Sequence, residues 1–492
     1  MAIISVDLGT TNTKSTLYDS HFNTIIQNSL PVTYLQSDTF TELDVDKYFS
    51  EIVELINYCS SNSNLNEEIE QIVFTGQAET LVIIDKNGNP MGSAISWLDQ
   101  RSQKECDELN EHYKETCYEV TGNPVFIPTW PITKMLWLKQ NNFHVFSNAH
   151  KFLLLKSYIV YKFTGTFAVD NTIAGFSCFY DYKNNCWWDD VINYVGTDIS
   201  KLANIVEPNT IIGSILPKYS KLCNLSNNVK INIGLLDHFA GMIGTGNIEK
   251  GTISESAGTV LSLATLVDNP LPIGSNIPIY RGPFVNSFVL LPVCESGGIC
   301  LEWFKNNFIK EMNFKQIDES IINKKLDKTE GNTPIFLPHI AGINAPQFNK
   351  KAKGVFFGFD LLNDELDFAL CVMQGVAYML KDNIEFLENK GIPINSIITT
   401  GGGAKSKLWN QIKSDITQKE ITVPSNEEAP SLGAAILASM HNSDNVTLED
   451  KILKVVAIKE KFLPKEKTKN KNKYELYKKL YEAILPIYDL TE

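Results

Sequence analysis

The sequence predicts an α/β protein of two domains, and three observations carry that prediction. Strand-like and helix-like segments alternate along the whole chain. At 492 residues the chain is too long for one hydrophobic core. A Gly-Thr turn between two apolar runs occurs near residue 10 and again near residue 259, the pattern of two domains of similar topology, although Gly-Thr pairs are common enough to recur by chance. The expected boundary lies between residues 1–244 and 245–492.

Composition narrows the class. Hydrophobic residues make up 43% and charged residues 21%, as in ordinary globular proteins. A net charge of −13 argues against a nucleic-acid or anionic-membrane surface. The nine cysteines contain no C-x-x-C pair, which fits reduced thiols in a cytoplasm better than a disulfide framework or a zinc site. The first apolar stretch has no basic flank and is broken by Asp7, so it reads as a strand and not as a signal peptide. Apolar runs such as "SFVLLPV" are too short to span a bilayer.

The elements follow in order. In "IISVDLGTTNTKSTLYD", Ile3–Val6 and Ser15–Tyr18 flank a turn like the arms of a hairpin. "KYFSEIVELINYC" is expected to be a helix with Phe49, Ile52, Val53 and Ile56 on one face. "IEQIVFTGQAETLVIIDKNGNPM" reads as strand, loop, strand and an Asn87–Gly88 turn. "KFLLLKSYIVYKFTG" reads as a helix closed by Gly165. "KINIGLLDHFAGMIGTG" is a strand that reaches Asp237 and continues as a helix of small residues. "SIITTGGGAKSKLWNQIKSDIT" is a strand end, a glycine turn and a helix from Lys407 onward. "PSLGAAILASM" is a helix of small residues suited to close packing, and "KEKTKNKNK" is a solvated charge run before a last helix that ends near Leu485.

Several segments carry chemistry, each with a plainer alternative. The Gly9-Thr10-Thr11 turn offers successive backbone N–H groups and two hydroxyls to phosphate oxygens. Asp7 is placed to hold Mg²⁺, and Lys14 to add a charged contact. The same residues would also make a tight hairpin with a capping Asp. In "ISWLDQRS", Trp97, Asp99 and Arg101 alternate, so in a strand they would share one face. A plate, an acceptor and a cation suit a polyhydroxylated ligand, but they equally suit a half-exposed strand with a surface ion pair. Gln77 and Glu79 lie just past a strand end and could bond hydroxyls. Trp130 sits in a proline-framed apolar loop that could wall a pocket or simply pack. Asp237, at the end of an apolar strand, is placed to take a proton from a hydroxyl that attacks phosphorus, with His238 beside it in a binding role. The three glycines Gly401, Gly402 and Gly403 allow close backbone approach, and the helix that begins at Lys407 points its N–H groups the same way. The chain has no G-x-x-x-x-G-K-[ST], H-E-x-x-H, G-x-S-x-G or dinucleotide fingerprint.

Taken in order, these segments resemble the FGGY family of carbohydrate kinases over nearly the whole chain. "VDLGTTNTK" and "ESAGTVLSL" look like the family's two phosphate motifs, "SWLDQRS" like its sugar-contacting motif and "GLLDHFAGMIGTG" like its catalytic-base motif. "VDNTIAGFSCFYDYKNNCWWDD", "PIFLPHIAGINAPQFNKKAKGVFFG" and "TTGGGAKSKLWNQIKSDIT…EEAPSLGAAILA" resemble its remaining signatures. The resemblance implies two actin-like (ribonuclease-H-like) ATPase domains around a central cleft and ATP with Mg²⁺ as cofactors. It implies Asp7 at the metal and Asp237 as base, and Asp237 is also a candidate ligand of the metal. Thr10, Thr11, Lys14, Gly258, Thr259, Gly402, Gly403, Ala404 and Lys407 would serve the nucleotide. Gln77, Glu79, Trp97, Asp99, Arg101, Trp130, Asp237 and His238 would face a small sugar or polyol.

Xylulokinases usually carry G-Q-M-H-G where this chain has "GQAET", and glycerol kinases carry Q-R-E-T, so Ala78 replaces an arginine and leaves room. "GINAPQFN" stands in place of the usual G-E-R-T-P, which puts Ile343, Asn344 and Ala345 where a charged pair is expected. The expected activity is phosphorylation of a terminal hydroxyl of a pentulose such as xylulose, with a glycerol- or erythritol-type polyol as the alternative. An actin-like ATPase or a non-catalytic sugar sensor is the reading from another class. No nucleic acid or membrane partner is expected, and a homodimer is one assembly the chain could form.

Overall fold

The computed structural model describes residues 2–37, 40–63, 67–269, 277–327, 333–426, 428–442, 446–465 and 469–490. The chain forms two compact units. The first comprises Met1–Gly246, Ile279–Phe288 and Glu428–Val456, and the second Asn247–Pro278, Val289–Glu427 and Ala457–Glu492.

The first unit is built on a six-stranded sheet. Ala2–Leu8 pairs antiparallel with Asn12–Tyr18, which pairs with Thr24–Pro31; on its other side Ala2–Leu8 runs parallel to Ile69–Gly76. Ile69–Gly76 runs parallel to Lys230–Leu236, and Ile211–Ser214 closes the edge antiparallel. The three parallel strands are buried almost throughout, as strands covered on both faces must be. The opening segment is therefore the expected hairpin, with residues 9–11 as its turn.

The second unit repeats this plan. Thr252–Ala257 pairs antiparallel with Leu261–Val267 and parallel with Ser396–Thr400. Ser396–Thr400 runs parallel to Glu420–Pro424, which pairs antiparallel with Ile458–Phe462. From hairpin to closing antiparallel strand, the two units share order and sense. The Gly-Thr recurrence in the sequence thus marks equivalent hairpins.

The helices follow from local chemistry. Val45–Ser61 starts at Asp44, whose carboxylate accepts from the Lys47 amide, and buries Phe49, Ile52, Leu55 and Ile56. Leu55 takes the place expected for Val53, which is half-buried. The segment read as one helix from "KFLLL" divides: Lys151–Leu154 is a strand paired with Leu81–Ile84, and the helix is Leu155–Thr164. The aliphatic run of Phe152 to Leu154 serves a sheet edge there, while Gly165 at φ 79° ends the helix as expected. The last helix runs Lys469–Tyr488, three residues beyond Leu485. Ile343 is 8% exposed and packs with Ala352 and Tyr488, so where the usual family pattern places a charged pair, this chain has an apolar contact beneath its final helix.

Two helices distant in sequence meet closely in the first unit. Asp237–Thr245 packs against Ala429–Ala438, which also covers Ala2–Leu8. A Cβ on Gly244 would come within 1.9 Å of the Ala429 carbonyl oxygen, and one on Gly433 within 1.8 Å of the Ala240 oxygen. Backbone meets backbone there, which only glycine permits.

In the second unit, Asp382 lies half-buried on the helix Glu365–Asn389. Burial first, then the Glu385 carboxylate, pushes its pKa up to about 6, against the opposing pull of Lys478 and Tyr474. A carboxyl whose pKa is raised by folding adds stability that is complete below its ordinary value and lost as the pH rises through about 6. Asp382→Asn stays neutral, so it is expected to match the wild type near pH 4 and exceed it above pH 7. The gain is at most about 3 kcal/mol, read as the difference between thermal unfolding curves at the two pH values. A variant no more stable at pH 8 would contradict the assignment.

Candidate active site

In the first unit, Asp7 and Asp237 stand at the carboxyl ends of two strands that flank Ile69–Gly76, where open α/β sheets place their ligands. Asp237 is the first residue of its helix, and its Oδ1 accepts from the His238 amide at 2.6 Å. His238 itself is exposed. Asp7 Oδ1 is buried with no hydrogen-bond partner. Burial, then the charge of Asp237, raises the Asp7 pKa to about 7; Lys14 opposes this and Glu428 adds to it. Lys14 Nζ lies 2.8 Å from both carboxylate oxygens of Glu428.

The loop after Gly76 joins the hairpin to the remaining candidates. Gln77 Nε2 donates to the Gly9 carbonyl at 3.3 Å, and its Oε1 accepts from Thr80 Oγ1 at 2.8 Å. Thr80 Oγ1 in turn accepts from the Trp97 amide. Glu79 sits at φ 70°, a left-handed conformation that a non-glycine residue adopts at a cost of order 1 kcal/mol. Burial drives its carboxyl pKa up, opposed by Lys134 and Thr129, and Asp237 adds to the rise.

Lys134 is a neighbour that sequence reasoning missed. Its side chain is fully buried on Pro131–Asn141, and Nζ donates to the carbonyls of Glu79 at 3.0 Å and Ser96 at 2.8 Å. Burial pulls its pKa down while Glu79 and Asp99 hold it up. The signal was there to read: a lysine inside the apolar run "PITKMLWL" must have a buried partner.

Trp97, Asp99 and Arg101 do not alternate along a strand. The strand ends at Ile95, and residues 97–102 turn. The chain turns because the carboxylate of Asp99 gathers local donors: the Thr41 amide at 2.7 Å, the Arg101 amide at 3.0 Å, and Nε and Nη2 of Arg101 at 2.8 Å. Arg101 also reaches Glu42 at 2.7 Å, lies 4.0 Å from the Phe40 ring centre and 4.9 Å from that of Trp137, and is 4% exposed. Asp99 and Arg101 thus bond chiefly to each other. The Trp97 indole N–H, by contrast, is buried with no partner. Trp130 caps Pro131–Asn141, donates from Nε1 to the Val125 carbonyl at 3.3 Å and sets its ring edge-on to Phe176.

Thr10 is half-buried and Thr11 exposed in the first hairpin turn. In the second unit, Gly258 and Thr259 are exposed in the equivalent turn, their carbonyls accepting from the Gly298 and Gly297 amides. Gly401–Ala404 follows Ser396–Thr400 as a tight turn, and Ser406 caps Lys407–Thr417 by accepting from the Trp409 amide. Gly402 is exposed, whereas a Cβ on Gly403 would sit 2.7 Å from the Ala257 Cβ, so Gly403 answers a packing need. Lys407 is exposed and pairs with Glu460 at 2.5 Å.

Residues 2–244 match the N-terminal domain, and residues 255–441 the C-terminal domain, of the FGGY family of carbohydrate kinases. The chain belongs to this family. It is 28% identical to the xylulose kinase of Staphylococcus epidermidis over 98% of this chain and 96% of that protein. The ligand-bound xylulose kinase of Lactobacillus acidophilus superposes with a TM-score of 0.88 at 24% identity, covering 99% of each chain. The glycerol kinase of Plasmodium falciparum with ADP superposes with a TM-score of 0.89 at 23% identity, covering 98% of each. The protein is thus a carbohydrate kinase of actin-like two-domain fold, and kinases of this family use ATP. No helix among the described residues is long and apolar enough to cross a membrane.

Proposed function

We propose that the protein phosphorylates a terminal hydroxyl of a pentulose such as xylulose, with Asp237 as general base. The observation that carries this reading is the carboxylate pair at the first unit's strand ends: half-buried Asp237 at the start of its helix, within electrostatic reach of Asp7, whose buried Oδ1 has no hydrogen-bond partner. Asp237 accepts the hydroxyl proton as the oxygen attacks phosphorus. The Trp97 indole offers an apolar plate and a donor to the sugar, while Gln77 and Glu79 accept from its hydroxyls. Asp99 and Arg101 frame that wall, and Trp130 and His238 border it.

Asp7 suits a hard cation: an orphaned buried oxygen with a raised pKa is what a carboxylate lacking its counter-ion shows. Asp7, with Asp237, would hold Mg²⁺, which when bound supplies neutralisation of phosphate charge. Thr10, Thr11 and Lys14 in the first unit, and Gly258, Thr259, Gly402, Ala404 and Lys407 in the second, serve the nucleotide, while Gly403 lets the turn pack on Ala257. Turn amides and threonine hydroxyls bind phosphate oxygens without side-chain reorganisation.

The xylulose kinase relatives support a pentulose, as does Ala78, whose small side chain leaves space beside Gln77 and Glu79. A cytoplasmic setting is supported by nine free thiols, eight of them buried. The test is a coupled ADP-release screen over ketopentoses, tetritols, glycerol and aldonates. A ketopentose is expected to give the highest kcat/KM. A tetritol or glycerol ahead of every ketopentose would move the assignment to polyols, and no stimulation by any of them would end this reading.

A further inference from the structure

The peptide that joins Leu235 to Leu236, one residue before Asp237, is gripped from both sides by side-chain hydroxyls. Its carbonyl accepts from Thr75 Oγ1 at 3.0 Å, and its N–H donates to Thr172 Oγ1 at 2.9 Å. Thr75 and Thr172 are both 0% exposed. A planar peptide held at both its oxygen and its nitrogen has lost the rotation that would swing the next residue.

Thr172 is itself constrained. Its hydroxyl has one proton and gives it to Asp170 Oδ1, so only a lone pair is left to face the Leu236 N–H. Asp170 Oδ2 lies 2.7 Å from Lys156 Nζ, in an ion pair whose members are 0% and 1% exposed. Lys156 comes from Leu155–Thr164, while Asp170 ends the strand Ala168–Asp170 and caps the short helix Asn171–Ala174 by accepting from the Ile173 amide. The lysine has an electrostatic role as well. Asp7, Glu79 and Asp237 already crowd negative charge here, each of the first two feeling Asp237. Lys156 lies within electrostatic reach of Asp237 and neutralises Asp170, so the carboxylate that orients Thr172 adds no net charge beside the base. A lone buried lysine or aspartate would be costly, and the pair is tolerable because both are present.

We propose that Thr75 and Thr172 are positioning residues for Asp237, with the Lys156–Asp170 pair setting the orientation of the Thr172 hydroxyl. The proposal rests on Asp237 being the base. None of these side chains needs to touch substrate. They fix the entry angle of the helix Asp237–Thr245 and hence the place of its first carboxylate. A base displaced by about 1 Å can lose on the order of a hundredfold in rate.

The test compares Thr172→Val, Thr172→Ser and Thr75→Val with Asp237→Asn, in the full chain with the sugar the screen selects. Thr172→Val keeps the shape and removes the hydroxyl. Its kcat is expected to fall about tenfold to a hundredfold, with the KM values for sugar and ATP within about threefold of wild type. Thr172→Ser should recover most of the lost kcat, and hydrogen exchange at the Leu236 amide should be faster in Thr172→Val and near wild type in Thr172→Ser. If Thr172→Val fails to fold, Thr75→Val carries the same kcat-without-KM expectation from the other side of the peptide. A folded Thr172→Val with wild-type kcat, while Asp237→Asn is inactive, overturns the positioning role and leaves the base in place. Equal losses of kcat in the Val and Ser variants also overturn it. An active Asp237→Asn removes the base and this proposal together.

Discussion

Asp237→Asn is expected to lose sugar phosphorylation by about a hundredfold to ten-thousandfold, the range associated with a general base, while nucleotide binding persists. The substitution is nearly isosteric. The Asn oxygen can still accept from the His238 amide as Oδ1 of Asp237 does, so the helix start is retained. What is lost is proton affinity and one of the two carboxylates proposed for Mg²⁺, together with a favourable charge at a helix N-terminus that is worth only about 0.3–1 kcal/mol. A structural effect of that size cannot mimic the loss of a base. The Gly-Thr and Gly-rich turns assigned to the nucleotide belong to other segments, so ATP should still protect the variant against thermal unfolding. Single-turnover measurement of sugar phosphate at saturating ATP decides the matter. A variant that keeps more than about a tenth of wild-type turnover would show that the base is another group.

Lys413→Met is expected to cost about 3–5 kcal/mol of stability, the usual price of breaking a buried ion pair. Lys413 lies on Lys407–Thr417 and Glu255 on Thr252–Ala257; their charges are 2.5 Å apart, and neither side chain is exposed. Removing the ammonium leaves the Glu255 carboxylate in the core of the second unit with no counter-charge. The double variant Glu255→Leu/Lys413→Met, which buries two apolar chains instead, should recover most of the loss. Urea unfolding of the three proteins measures this, with the second unit's transition followed separately because a two-unit chain need not unfold in one step. If Lys413→Met unfolds within about 1 kcal/mol of wild type, the pair is not the structural tie that its burial indicates.

Residues that end an apolar run are the part of this protein that could be read from sequence. Asp7 and Asp237 each interrupt a strand pattern with a carboxylate, and both stand at strand ends in the sheet. The two Gly-Thr turns lie in hairpins of matching topology because a three-residue turn between apolar runs leaves few other choices. Residues whose role depends on a distant partner were not legible. Lys134, Lys156 and Lys413 are buried lysines whose partners are set by tertiary packing, and only their apolar neighbours hinted at them. The Trp97, Asp99 and Arg101 spacing suggested a strand face because period two is the default for such a run. The Asp99 carboxylate instead drew the chain into a turn around Arg101, a side-chain competition that periodicity does not register.

The helix Ala429–Ala438 completes a core that begins at the first residues of the chain. During synthesis, the strands of the first unit leave the ribosome long before this helix does. Until it arrives, Asp237–Thr245 presents glycine notches and apolar surface with nothing to fill them. The first unit, which also takes in Ile279–Phe288, therefore stays incompletely closed until Glu428–Val456 has been made. That interval is when the nascent protein is most open to aggregation and to capture by chaperones. A fragment cut at Gly246 would remain in that state permanently.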